Sequence, residues 1–371
     1  MVEHTRIAVV GGGVMGLSAA WALTRRGERP LVLERFGRGH SRGASHGETR
    51  NFNNAYAEEH YLDLLALARE GWDALGEVDG EPLLRLHGLV SHGAGAALGS
   101  AAGVGLADVE RRLHERGLPA ELLDGAEAAR RWPGMRFEDT VLYSPDAGVA
   151  RAAAALREVE RRIAEGGGEV RWQTPVDRIE EDADGVTLHT AGGPVRADTV
   201  IVTVGAWTAG LLASIPLPRL RVTEESPAHF APRDPATPWP SFNHFVTPGT
   251  WPANVYGMPT PGEGVKVGFH CVGDEVDPDA RPFRTDAHAE TLAAYVREWF
   301  PGLDAATAAP ISCTYTSTAD EAFVLDRVGR VVVGAGFSGQ GFKFAPGVGS
   351  TLAGLALDPA ALAAPAFRLR P

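Results

Sequence analysis

The sequence predicts an α/β fold that opens on a parallel sheet. Three neighbouring features carry that expectation: a β-branched run at residues 6–10, a glycine-rich turn directly after it, and a helical stretch at 14–26 closed by Gly27. A short apolar β-branched run reads as a buried parallel strand. A glycine just past the last helical residue is a common helix stop.

In the turn, Gly11, Gly13 and Gly16 supply a tight bend, a close backbone approach to pyrophosphate, and a close helix–strand contact. The helix start offers unpaired N–H groups and a positive dipole end to phosphate. A second strand at 31–34 ends on Glu34, a carboxylate where a ribose hydroxyl is expected. It suits an unphosphorylated ribose and would repel a phosphorylated one. Strand, glycines, helix, strand and acid in that order predict dinucleotide binding, and the motif suits FAD and NAD alike.

A polar stretch at 39–50 follows, then a helix at 61–77 whose Leu62, Leu65 and Leu75 form a core stripe. Residues 86–144 read as short strands and helices broken by Gly and Pro. A helix at 151–165 leads to a strand around 169–174. Next comes a hairpin of 176–179 and 185–190, whose turn signal is Asp184 followed by Gly185. A strongly apolar strand spans 199–204; residues 219–316 are strand-rich, including 266–270, with one helix near 287–300. The chain closes with a strand at 330–336, a glycine-rich loop, and a helix from about 344. This alternation predicts two interleaved domains: a nucleotide domain of 1–85, 145–218 and 318–371, and a second domain of 86–144 and 219–317.

A chain of 371 residues suits two domains, and 44% hydrophobic residues supply a real core. The formal charge of −12 argues against nucleic acid as a partner. No apolar stretch approaches the ~20 residues of a membrane span. The first six residues lack the plan of a secretory signal. Two distant cysteines, Cys271 and Cys313, form no disulfide framework and fit a reducing cytoplasm.

Several segments together resemble one family along nearly the whole chain: the D-amino-acid-oxidase-type flavoproteins, in the branch of monomeric sarcosine oxidase and N-methyltryptophan oxidase. They are residues 11–16, 45–50, 205–207, 256–259, 266–270, 313–315 and 336–344. The resemblance implies a Rossmann-like FAD domain interleaved with an α+β substrate domain on a large, mostly antiparallel sheet. It implies an FAD cradle of Gly11, Gly13, Val14, Met15, Gly16, Glu34, Arg35, Ser45, His46, Thr49, Arg50, Val176, Gly205, Trp207, Cys313, Gly339, Gly341, Phe342 and Lys343. Cys313 matches a cysteine joined to the flavin by a thioether; taken alone, a free cysteine reads as a small buried hydrophobe. Cys271 matches nothing and reads as core.

By the same resemblance, Lys266 lies over the flavin and promotes its reaction with oxygen, as a fixed cation beside developing superoxide would. His270 contacts substrate and shares a strand face with Lys266. Tyr256 and Tyr315 line the substrate cavity, Lys343 binds a substrate carboxylate, and Arg50 balances charge on reduced flavin. Gly336, Gly339 and Gly341 let the last loop pass close to the flavin. One position departs from the pattern: Asn53 stands where the family carries a second, carboxylate-pairing arginine. The implied enzyme is a cytoplasmic monomer without a metal. It oxidises a secondary, N-methyl or cyclic amine to an imine and reduces oxygen to hydrogen peroxide. Its rivals are a flavin dehydrogenase with another acceptor and a non-catalytic dinucleotide-binding protein.

Overall fold

The computed structural model describes residues 2–93 and 104–369, so residues 94–103 within the mixed stretch at 86–144 lie outside the described residues. The first strand, Glu3–Val10, pairs in parallel with Leu31–Leu33 on one side and Gly193–Val202 on the other. Glu169–Arg171 extends the sheet in parallel beyond Leu31–Leu33. The long strand Gly193–Val202 has two partners along its other edge. Its first half pairs antiparallel with Val186–Thr190, which in turn pairs with Val176–Glu181. Its second half takes Val331–Ala335 in parallel, Val200 opposite Val331, and Val324–Val328 completes this eight-stranded sheet.

Apolar side chains explain why these strands stack: Ala8, Val200, Val202 and Val333 are fully buried, the pattern of a parallel sheet covered on both faces. Helices Val14–Thr24 and Ala345–Leu357 pack together closely enough that a Cβ on Gly349 would collide with the Ser18 carbonyl. Both helices are apolar nearly all round, as buried helices are.

The second large sheet also has eight strands, from Ala309–Pro310 through Ala228–Phe230, Gly264–Phe269, Val255–Thr260, Ser241–His244, Leu89–His92 and Thr140–Ser144 to Glu121–Asp124. Every pairing in it is antiparallel except Ser241–His244 with Leu89–His92. Helix Ala289–Trp299 covers it through Leu292, Tyr295 and Val296. A three-stranded sheet joins Arg221–Glu225 to Cys313–Ser317 and Asp274–Glu275.

Element ends differ from expectation by a few residues. The helix expected at 61–77 is Glu59–Leu75, stopped by Gly76 at φ 71°. The strand expected at 266–270 ends at Phe269. The helix expected from 344 is preceded by a 3-10 turn, Phe342–Phe344, and has proline in its first turn, where a missing N–H costs nothing.

Candidate active site

A cavity of about 850 Å³ runs from the glycine turn to the start of the strand Cys313–Ser317. At its first end the wall is backbone. Gly11 has φ 106°, and a Cβ there would lie 2.6 Å from the Thr203 carbonyl oxygen. A Cβ on Gly16 would collide with the Gly11 carbonyl, so the helix can start hard against the turn only because both residues are glycine. Gly13 caps the helix with no side-chain hydrogen bond, and Ser45 Oγ accepts from the Val14 N–H at 3.0 Å. Met15, next in that first turn, also lines the cavity, with the helix dipole behind it.

Glu34 is buried, and its carboxylate accepts the Gly12 N–H at 2.6 Å and the Phe36 N–H at 2.8 Å. Each carboxylate oxygen keeps a second lone pair for a hydroxyl. These features fit the adenosine and pyrophosphate portion of FAD: a close backbone approach, a helix start and a buried acid on one cavity wall.

Of the residues expected to hold the cofactor, Gly11, Gly13, Val14, Met15, Glu34, Arg35, Ser45, His46, Arg50, Val176, Gly205, Trp207, Cys313, Gly339, Gly341 and Phe342 line this cavity, as does Tyr315. Gly16 lies beneath the turn. Thr49 is turned away, its hydroxyl 2.6 Å from that of Thr260. Gly339 takes φ 73°, and a Cβ there would collide with the Tyr315 ring. Gly341 needs no special φ; a side chain there would meet Phe337 and Met15.

Arg50 braces the cavity loop. Its guanidinium donates to the carbonyls of Thr49 and Ala44 at 2.8 Å each and to that of His46. Among the described residues no carboxylate lies within ion-pairing distance of it, so its charge is offset by these dipoles and by the Phe342 ring 5.7 Å away. The His46 ring meets the Gly43 carbonyl at 2.7 Å and that of Ser312 at 3.1 Å. Burial holds the ring neutral down to about pH 4, so only one of its two nitrogens can donate to these carbonyls.

Lys266, in the middle of the second sheet, is buried, and among the described residues its ammonium makes no hydrogen bond or ion pair. Burial, with Arg50 nearby, pulls its pKa down to about 8, while the Cys313 side chain acts in the opposite sense. His229, its partner across the strands, is held neutral to about pH 4 by burial and then by the charges of Lys266 and Arg50.

Alternation along the strand puts residues 266, 268 and 270 on one face. Position 268 is glycine, where a Cβ would lie 3.1 Å from the Tyr256 hydroxyl. Tyr256 thus fills the gap between Lys266 and His270. Its hydroxyl accepts from Tyr315 at 3.2 Å, and the His270 ring sits 5.5 Å from Tyr315 and 6.3 Å from Tyr256 between centroids.

Lys343 lies off the large cavity. It is buried, donates to the Gln340 carbonyl at 2.8 Å, and packs over Tyr56 and Phe344 at 5.3 and 5.0 Å. Burial alone lowers its pKa to about 7. Asn53 is buried too, its side-chain oxygen accepting the Ala55 N–H at 2.8 Å in a local turn.

Cys271 is not the core residue expected. It is partly exposed, takes φ 60°, and points its thiol toward Glu321. Two further groups had no sequence signal. Asp279 closes the mouth by bonding Arg35 at 2.8 Å and the Trp207 indole N–H at 2.9 Å. Arg281, buried, joins Glu224, the Arg42 carbonyl and Ser312, tying the cavity loop to the residue before Cys313. Both come from one irregular segment that meets the site only through the fold.

The family model for FAD-dependent oxidoreductases of the DAO type matches residues 6–355. Monomeric sarcosine oxidase of Bacillus sp. (strain B-0618) is 32% identical over 96% of this chain and 93% of its own length. Human peroxisomal sarcosine oxidase is 33% identical over 93% and 90%. N-methyl-L-tryptophan oxidase of Yersinia pestis (strain Pestoides F) is 29% identical over 95% of each. Among solved structures, the open form of NikD, an unusual amino acid oxidase essential for nikkomycin biosynthesis, superposes with a TM-score of 0.85 at 26% identity. It covers 97% of this chain and 95% of its own. With the glycine turn, the buried acid and the cavity they open onto, these matches identify the chain as a member of the DAO family of FAD-dependent oxidoreductases.

Proposed function

We propose that this FAD-dependent oxidoreductase is an amine oxidase acting on a secondary, N-methyl or cyclic amine, with oxygen as electron acceptor and hydrogen peroxide as product. The observation that carries the reading is that Arg50 and Cys313 line the cavity at the end opposite the glycine turn, with the buried Lys266, itself off the cavity wall, close enough for both to act on its ammonium. Bound FAD supplies the acceptor for the hydride leaving the carbon next to nitrogen and returns the electrons to oxygen. The chain supplies the rest. Lys266, protonated below about pH 8, presents a fixed positive charge where negative charge develops on oxygen. Tyr256, Tyr315 and His270 form one wall for the substrate, with both phenols kept neutral by burial. Lys343 is the carboxylate anchor where the substrate has one. No general base is required, since a neutral amine can release hydride directly.

The relatives named for sarcosine and N-methyl-L-tryptophan support this reading, and those called monomeric support a single-chain enzyme. Among the described residues no helix is long and apolar enough to cross a membrane; a cytoplasmic location is part of the proposal, as are the interleaved domain boundaries. Cys313 is proposed to hold the flavin covalently: it is buried on the cavity wall, and the thioether would form at the ring's methyl edge.

Acid precipitation of the purified protein tests the link. The yellow colour should stay with the pellet in wild type and in Cys271→Ala, and pass to the supernatant in Cys313→Ala. Colour wholly in the wild-type supernatant would end the covalent assignment. Peroxide formation on a panel of amines, measured alongside, separates the oxidase from a dehydrogenase.

A further inference from the structure

Beside the amine wall, three side chains converge that the proposed chemistry does not use together. The His270 imidazole, the Cys271 thiol and the Glu321 carboxylate each offer one ligand atom, all within 4.8 Å of one another. Glu321 is shared between the other two: one oxygen lies 3.9 Å from His270 Nε2 and the other 3.9 Å from Cys271 Sγ. The first distance is far too long for a hydrogen bond and the second is at the limit of a weak one. His270 Nε2 is fully buried and has no hydrogen-bond partner among the described residues, a condition that disfavours the folded state unless something fills the gap. Cys271 and Glu321 both hold left-handed backbone angles, φ 60° and 58°, rare for side chains of their kind.

The spacing is informative. Nitrogen, sulfur and oxygen ligands bound tetrahedrally to one zinc ion at roughly 2.0–2.3 Å lie roughly 3.3–3.7 Å apart. The two 3.9 Å gaps to Glu321 therefore need to close by only a few tenths of an ångström, and the set as a whole, within 4.8 Å, by at most about 1.5 Å. An imidazole, a thiolate and a carboxylate also form the mixed donor set that a borderline-soft divalent ion prefers.

A separate observation concerns charge. Glu225 is 1% exposed, and its carboxylate is held by the Thr223 hydroxyl at 2.6 Å and by the amides of Val272 and Gly273 at 3.1 and 3.0 Å. Among the described residues no cation lies within ion-pairing distance of it. Its field reaches Cys271 and Tyr315 and adds to that of Glu321 at the thiol, with Arg221 acting the other way. A buried carboxylate without a counter-charge favours a cation nearby.

We propose that His270, Cys271 and Glu321 form a binding site for a divalent transition-metal ion, zinc foremost, with a fourth position open to water. Binding makes bonds from imidazole nitrogen, sulfur and carboxylate oxygen to the metal. The thiol proton passes to solvent, and no group changes oxidation state. Because His270 packs against Tyr315 and Tyr256, the ion takes the ring's free lone pair from the amine pocket. Zinc is therefore an inhibitor of amine oxidation.

The inhibition rests on the amine-oxidase reading; the binding does not. Metal-stripped holoenzyme given one equivalent of zinc chloride and desalted into non-chelating buffer should retain about one zinc per chain, with one sulfur neighbour at about 2.3 Å by X-ray absorption. Cys271→Ser and Glu321→Gln should each retain less than about a tenth of that, as loss of one ligand from a three-residue site implies. Zinc should slow wild-type turnover reversibly, with recovery on adding chelator, and leave Cys271→Ser at its unchanged zinc-free rate. Zinc lost from the wild type on desalting, a spectrum without sulfur, or equal retention by Cys271→Ser would each overturn the site. The wild-type spectrum decides even if the serine variant fails to fold, and retention decides even if the enzyme oxidises no amine.

Discussion

At the glycine turn the decisive feature is missing volume. Gly11 and Gly16 leave no room for a Cβ against Thr203 and the Gly11 carbonyl, and the groups that would meet the cofactor are backbone amides and one acid. At and behind the other end of the cavity the decisive features are side chains: Arg50, Cys313 and Tyr315 line it, while Lys266, Tyr256 and His270 stand behind them, off the cavity wall. The first end allows or forbids binding as a whole. The second can lose one group and keep the rest, which is how relatives of one fold come to accept different substrates.

Three substitutions or conditions would sharpen or break that contrast. The largest effect belongs to the turn. Gly16→Ala should yield protein without flavin in its visible spectrum, because the clash is with backbone that cannot rotate away. A yellow, active alanine variant would mean that the turn tolerates what the geometry forbids. Next comes Lys266→Met, which should slow reoxidation of the reduced enzyme by roughly 10²-fold, the scale of losing one preorganised electrostatic group. Flavin content and the rate of reduction by substrate should stay near wild type. Equal loss in both half-reactions, read by stopped flow, would remove Lys266 from the oxygen step.

The smallest effect is on pH. The Lys343 pKa is lowered to about 7, so its ammonium is present below that pH and lost as pH rises through it. For an amine bearing a carboxylate, KM should rise severalfold between about pH 7 and 8, since each pH unit above the pKa costs the charged form up to tenfold. kcat should change less, and an amine without a carboxylate should show no such rise. A flat KM profile for the carboxylate-bearing substrate would place Lys343 outside the binding pocket.

Much of the first sheet could be read locally. Residues 6–10, 31–34 and 199–204 are β-branched or apolar runs beside glycines and an acid, and each lies in the parallel core. The second sheet showed itself only as strand-rich sequence. Its order, with Ser241–His244 next to Leu89–His92 in parallel, joins segments about 150 residues apart that carry no mark of each other. Site residues split the same way. Glu34 was legible from its distance to the turn, whereas Lys266, His270 and Cys313 were named only through family resemblance, because a lysine in an alternating strand does not reveal which face is buried. Asn53 was noticed as a departure from that family, yet its side chain closes a turn with Ala55, a use that no spacing announced. Asp279 and Arg281 lie in an irregular stretch and gave no signal.

The pairing of the first helix with the last has a consequence in time. The glycine turn is made within the first sixteen residues, yet Val331–Ala335 completes the edge of Gly193–Val202, and Ala345–Leu357 packs against Val14–Thr24. During synthesis the long strand therefore waits for a partner about 130 residues away, with the backbone groups of that edge unpaired. A chain emerging at roughly 5–20 residues per second leaves it exposed for roughly 6–26 s. Flavin arriving in that interval meets a turn without Gly339, Gly341 or Phe342 on the opposite wall. Capture of the cofactor is thus a late event, and the sheet edge left open until then exposes the newborn chain to aggregation.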